Sequence, residues 1–146
     1  MVEALDAPDL EANKHLVRTL VDKVWNLEDP SFAEEVFPPD WQTTPELPLG
    51  PEGVKRWAIE DHATFPDVRY EIEDLIAEGD RVVVRWTASG TQQGPFGPIP
   101  PTRKSVTWTG IHIFWVRHGR FVDYRVEADS LGRLRQLGVE LVPPSA

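Results

Sequence analysis

"SVTWTGIHIFWVRHGRFVDYRVEA", residues 105–128, is the stretch on which the reading of this chain turns. Successive side chains of an extended strand point to opposite faces, so Trp108, Gly110, His112, Phe114 and Val116 share one side, and Ile111, Ile113 and Trp115 the other. His118-Gly119 then supplies the turn of a hairpin. Both faces of the first arm are apolar, so both call for cover. His112 interrupts that apolar pattern, and Glu127 and Asp129 stand at the end of the returning arm.

Upstream, "RYEIEDLIAEGDRVVVRWTASG", residues 69–90, repeats the pattern around Glu78-Gly79-Asp80. Val82, Val84, Trp86 and Ala88 form one face of its second arm. Val83, Arg85, Thr87 and Ser89 form the other, a mixed surface suited to a partly hydrated subunit contact. "TQQGPFGPIPPTRK", residues 91–104, joins the hairpins and is too rich in proline and glycine for helix or strand. Before residue 68 the period changes. Residues 9–27 place Leu16, Leu20 and Val24 on one stripe, with Val17, Val21 and Trp25 beside it, which predicts a helix. Asp29-Pro30 signals the start of a short helix carrying Phe32 and Val36. A longer helix is expected from Pro51 to Thr64, with Val54, Trp57, Ala58 and Asp61 on one face and His62 and Phe65 at its border. "DSLGRLRQLG", residues 129–138, spaces Leu131, Leu134 and Leu137 as a final helix, weakened by Gly132. Helices first and an antiparallel or mixed sheet after them make an α+β fold, with helices covering one face of a curved sheet.

The 146 residues suit a single domain over 1–146, its core at about 10–138. No cysteine is present, which removes disulfides, thiolate metal sites and cysteine nucleophiles. The acidic start, "MVEALDAPDLEANK", has no apolar segment of a leader, and no run approaches the ~20 apolar residues of a membrane span. A soluble, cytoplasmic protein is expected. With 24 acidic and 15 basic side chains, net charge −9, the surface field opposes nucleic acid and anionic lipid. A small hydrophobic molecule is the expected partner, beside a second copy of the chain. Ile111, Ile113 and Trp115 form an apolar stripe that helices on the concave side cannot cover, and such a stripe marks a homodimer contact.

A pocket between the concave face and the helices is where a small ligand binds in such a fold. The hairpin register decides which acids join His112 there. A two-residue loop pairs Arg117 with Arg120, sets His112 opposite Arg125 and brings Glu127 to its face. A G1 bulge at Gly119 pairs Val116 with Arg120 and sets His112 opposite Tyr124. The second register gives the cleaner apolar stripe, Val122, Tyr124 and Val126, and is favoured. A further bulge near Ala128 would return Asp129 to the pocket mouth. His112, Glu127 and Asp129 are the candidate catalytic residues. Trp41, Thr44, Trp57, His62, Trp86, Phe96, Trp108, Phe114, Tyr124 and Val126 are the candidate ligand contacts, Phe96 and Ile99 from the loop that rims the pocket. Asp61 and His62 point about 100° apart on a helix and form no obvious dyad. The histidines show no metal-ligand spacing, and the glycines of the 91–104 loop match no phosphate loop.

"NKHLVRTLVDKVWNLEDPSFAEEVFPPDW", "GPEGVKRW", "TFPDVRYEIEDLIAEGDRVVVRWTASGT", "GPIPPTRKSVTWTGIHIFWV" and "HGRFVDY" with "DSLGRLRQLG" together resemble the SnoaL-like polyketide cyclases and related ester cyclases over roughly residues 12–138. The resemblance implies a cone-shaped α+β barrel, shared with ketosteroid isomerases and scytalone dehydratase, and usually a homodimer. It implies cofactor-free chemistry, in characterised members an intramolecular aldol closure of a polyketide ester. The family's pocket histidine falls on His112. Its acid/base aspartate falls on Val126, with Arg125 where a tryptophan precedes it, and a further histidine position falls on Thr44. The aspartate before the last helix matches as Asp129.

Aldol closure needs a base for a carbon-bound proton and a donor for the enolate oxygen. Neutral His112 is able to serve as either. Glu127 or Asp129 would hold its protonated form or act as base, and Tyr124 would donate. Two function classes follow: an acid/base enzyme, either a cyclase or a related isomerase, hydrolase or dehydratase; or a non-catalytic binder that keeps the cavity, the class that Val126 favours.

Overall fold

The computed structural model describes residues 7–145, so the first six residues of the acidic start lie outside it. Helix α1, Leu10–Leu20, begins where the Asp9 carboxylate accepts the Ala12 N–H at 3.0 Å. The expected single helix to residue 27 is divided: Val21–Trp25 forms a wider π turn in which Val21, Val24 and Trp25 are all buried. Leu27, at φ 54°, ends it. Asn26 then clamps the first strand to this end, its Nδ2 donating to the Tyr70 carbonyl at 3.0 Å and its Oδ1 accepting the Tyr70 N–H at 2.8 Å.

A 3-10 turn at Pro30–Phe32 leads into α2, Ala33–Val36. Asp29 does not cap it; its carboxylate accepts the Ser31 hydroxyl instead. Helix α3 spans Pro51–Thr64, the bounds the sequence predicts, and buries Val54 and Ala58.

Four strands follow in chain order as one antiparallel sheet: β1 Arg69–Glu78, β2 Arg81–Thr91, β3 Ser105–Arg117 and β4 Arg120–Ala128. Along β2, Val82, Val84, Trp86 and Ala88 are buried toward the helices, as their alternation predicts. Helix α4, Ser130–Gln136, returns across the sheet, where Gln136 bonds both backbone groups of Thr107 at 2.9 and 2.7 Å. Its leucine spacing is a poor guide to its packing: Leu137 is buried, but Leu131 is 41% exposed. Among the described residues no helix is long and apolar enough to cross a membrane.

The last hairpin takes neither expected register. Arg117 pairs with Arg120 across a two-residue turn in which both His118 (φ 50°) and Gly119 (φ 73°) are left-handed, so the G1 bulge does not form. The extra residue is Val122, because Val116 pairs with Phe121 while Trp115 pairs with Asp123. From there His112 lies opposite Val126 and Phe114 opposite Tyr124. Phe121 is fully buried and stacks on Phe37, and Tyr124 stacks on Trp41. Residues three apart cannot both face inward at a period of two, and the bulge resolves that conflict.

Candidate active site

Between the helices and the sheet lies a cavity of about 700 Å³, walled largely by aromatic rings from both layers. Its floor is β2 and β3. Trp86 and Gly110 are partners across these strands, and the missing side chain of Gly110 leaves the space that the Trp86 indole occupies. From that position the indole N–H donates to Nδ1 of His112 at 2.9 Å. An indole nitrogen only donates, so Nδ1 must carry a lone pair and the neutral ring holds its proton on Nε2. Trp25 and Phe114 pack against the imidazole at 4.8 and 5.2 Å. Burial in these rings lowers the His112 pKa from 6.5 to about 4, so the ring is uncharged near neutral pH. Tyr124 does not satisfy His112; its hydroxyl donates to the Thr43 carbonyl at 2.8 Å and holds that loop to the sheet.

Asp61 enters the cavity from α3, and its Oδ2 accepts the Tyr70 hydroxyl at 2.9 Å. Burial raises its pKa, while the Tyr70 hydrogen bond and the charges of Arg133 and His62 restrain the rise. Tyr70 is pushed well above the usual tyrosine range by burial and by the neighbouring carboxyl, so it remains a hydroxyl donor. The third polar group is Arg133, from α4. Its guanidinium lies over the Phe96 and Trp108 rings at 4.5 and 4.9 Å, and burial pulls it below the usual arginine value. The rim loop that carries Phe96 is pinned by Gln92, which is fully buried. Its Nε2 donates to the carbonyls of Gly94 and Pro100, and its Oε1 accepts from the Thr102 N–H and hydroxyl.

A family model described as SnoaL-like polyketide cyclase matches residues 15–137. The chain belongs to the SnoaL-like polyketide cyclase family. Among solved structures, TsrD from Streptomyces laurentii is 30% identical with a TM-score of 0.81, over 90% of this chain and 98% of TsrD. IdmH from Streptomyces antibioticus, described as a candidate polyketide cyclase, is 28% identical with a TM-score of 0.72, over 87% of this chain and 99% of its own. AclR from Streptomyces galilaeus, described as a candidate hydroxylase, is 26% identical with a TM-score of 0.76, over 92% and 87%. No curated protein matches the chain.

In this SnoaL-like cavity His112 is joined by Trp41, Thr44, Trp57, Trp86, Phe96, Trp108, Phe114, Tyr124 and Val126. Four expected members stand elsewhere. His62 turns to the π turn, its Nε2 donating to the Trp25 carbonyl at 2.9 Å. Glu127 pairs with Ile111 on the outer face of the sheet, because the Val122 bulge directs Tyr124 and Val126 inward. No bulge near Ala128 returns Asp129 to the mouth. Its N–H binds the Thr109 carbonyl and its carboxylate caps α4 at the Gly132 N–H, 2.9 Å away. Ile99 pairs with Phe96 through the backbone and does not line the cavity.

Asp61, Tyr70 and Arg133 are ionisable groups within the cavity that the sequence candidates left out, and Thr43 is a further polar lining residue. Asp61 was legible as the polar member of the Val54-Trp57-Ala58-Asp61 face, and Tyr70 as an inward position of β1. Arg133 gives no signal in a helix read by its leucines. Among the described residues no three His, Cys, Asp or Glu side chains converge as metal ligands.

Proposed function

We propose that the protein catalyses cyclase-type acid/base chemistry, such as intramolecular aldol ring closure, on a hydrophobic, oxygenated, polyketide-like molecule without a cofactor. The observation that carries this reading is the Trp86–His112 hydrogen bond in a cavity that also holds Asp61. It fixes His112 as an Nε2–H donor and removes it as a base, because its one lone pair is engaged. The base is then Asp61, in place of the aspartate that the family resemblance puts at Val126. A carboxylate whose pKa is raised by burial is a stronger proton acceptor than an exposed one.

In the proposed sequence Asp61 takes a proton from a carbon beside a ketone, and the electron pair moves to the ketone oxygen, where the His112 Nε2–H holds it. The enolate carbon attacks a second carbonyl of the same molecule, forming the C–C bond. The resulting alkoxide takes the proton back from the Asp61 carboxyl. Aromatic walls exclude water and supply most of the binding. The same groups serve an isomerase, hydrolase or dehydratase, and Val126 favours a second reading, a binder without turnover. A homodimer through the outer sheet face and a cytoplasmic setting belong to the proposal, the former supported by Ile111 at 44% exposure.

The test uses an aryl 1,3-diketone in heavy water, with carbon-bound hydrogen exchange followed by NMR. Protein-dependent exchange is expected, reduced ~10²- to 10⁴-fold in Asp61→Asn. Binding of the diketone with no exchange above the protein-free rate overturns the enzyme reading in favour of the binder.

A further inference from the structure

Arg133 is out of balance with its surroundings. It reaches from α4 into an apolar cavity, yet its Nε is buried without a hydrogen-bond partner among the described residues. Among the described residues no carboxylate closes on the guanidinium as a salt bridge, although Asp61 is near enough for its charge to be felt. Thr43 Oγ1 is the other buried side-chain atom without a partner among the described residues, and Thr43 lines the same cavity. Buried polar groups are almost always satisfied, so two orphans on one cavity point to a ligand that satisfies them. Of the two, the partly desolvated cation makes the stronger demand.

The guanidinium is also held in place beforehand. Its Cζ lies over the Phe96 and Trp108 rings, α4 is tied to β3 through Gln136 and Thr107, and the Asp129 cap fixes its first turn. Such a fork fits the two oxygens of a carboxylate. A monoanion balances Arg133, whereas a dianion such as a phosphate monoester leaves an excess negative charge beside Asp61.

We propose that the substrate is an aromatic or polycyclic carboxylic acid, bound as its free carboxylate by Arg133 with its rings against the cavity walls. This inference rests on the cavity being the substrate site and adds the group that fixes the substrate's direction. It also couples binding to the chemistry: a bound carboxylate neutralises the cation that restrains the Asp61 pKa, which makes Asp61 more basic once substrate is in place.

The test compares anthracene-2-carboxylate with its methyl ester by tryptophan quenching and calorimetry, on the unmodified protein, Arg133→Gln and Arg133→Lys, with thermal melts to establish folding. The acid is expected to bind about 10- to 100-fold tighter than the ester, the range of a charge-assisted hydrogen bond. Arg133→Gln should remove that preference with little loss of ester affinity, and Arg133→Lys should keep part of it. Equal affinity for acid and ester in the unmodified protein overturns the carboxylate inference and leaves the cavity reading standing. A preference that survives Arg133→Gln also overturns it, because the anion then sits elsewhere. Failure of both ligands to bind overturns the inference together with the cavity reading.

Discussion

Between about pH 7.5 and pH 5 an unfolded chain protonates its histidines, whereas the fold keeps His112 neutral among Trp25, Trp86 and Phe114. Its pKa of about 4 in the fold lies below the ordinary 6.5. The stability tied to the neutral ring is therefore fully present above pH 6.5 and is lost as the pH falls toward 4. At 1.36 kcal/mol per pH unit, and with only the unfolded state taking up the proton over most of the interval, acidification to pH 5 costs about 2 kcal/mol. Asp61 acts in the opposite sense, because a carboxyl with a raised pKa is protonated more readily in the fold, so acidification relieves its burial. The His112→Gln variant isolates the histidine: it retains a group able to accept from Trp86 but cannot be charged. Urea denaturation of both proteins at the two pH values should show the unmodified protein losing about 2 kcal/mol more than the variant. Side-chain nitrogen NMR should show one sharp Nε2–H tautomer throughout. Equal losses in the two proteins, or a His112 titration centred near 6.5, would refute the burial argument and with it the assignment of the ring as a neutral donor.

Two further outcomes follow from the packing. Gly110→Ala places a methyl group where the Trp86 ring lies, so the variant should lose ~1–3 kcal/mol in denaturant titrations and show a displaced His112 NMR signal; an unchanged melting temperature would contradict the close approach. Ile113→Lys puts a charge in the Ile111-Ile113-Trp115 stripe, and light scattering should give two chains for the unmodified protein and one for the variant. A one-chain mass for the unmodified protein would dispose of the proposed dimer.

Much of the scaffold was written in local periodicity. Val82, Val84, Trp86 and Ala88 alternate to one side of β2, and Val54 and Ala58 return to one side of α3; each pattern needs only the geometry of its own element to be read. The aromatic lining followed for the same reason, because a strand that buries Trp108 at one position buries Phe114 six residues on. Tertiary structure alone decided the bulge at Val122. Both candidate registers were locally sound, and the need to bury Phe121 against Phe37 while stacking Tyr124 on Trp41 arises only when α2 and the following loop are in place. That single residue sends Val126 inward and Glu127 outward. The Asp61–Tyr70 bond likewise joins α3 to β1, and Arg133 meets Phe96 and Trp108 from far along the chain. Such contacts have no period in the sequence. A helix or strand repeats because its own backbone repeats, whereas the polar groups of this cavity meet only because different elements stop at the right places around it.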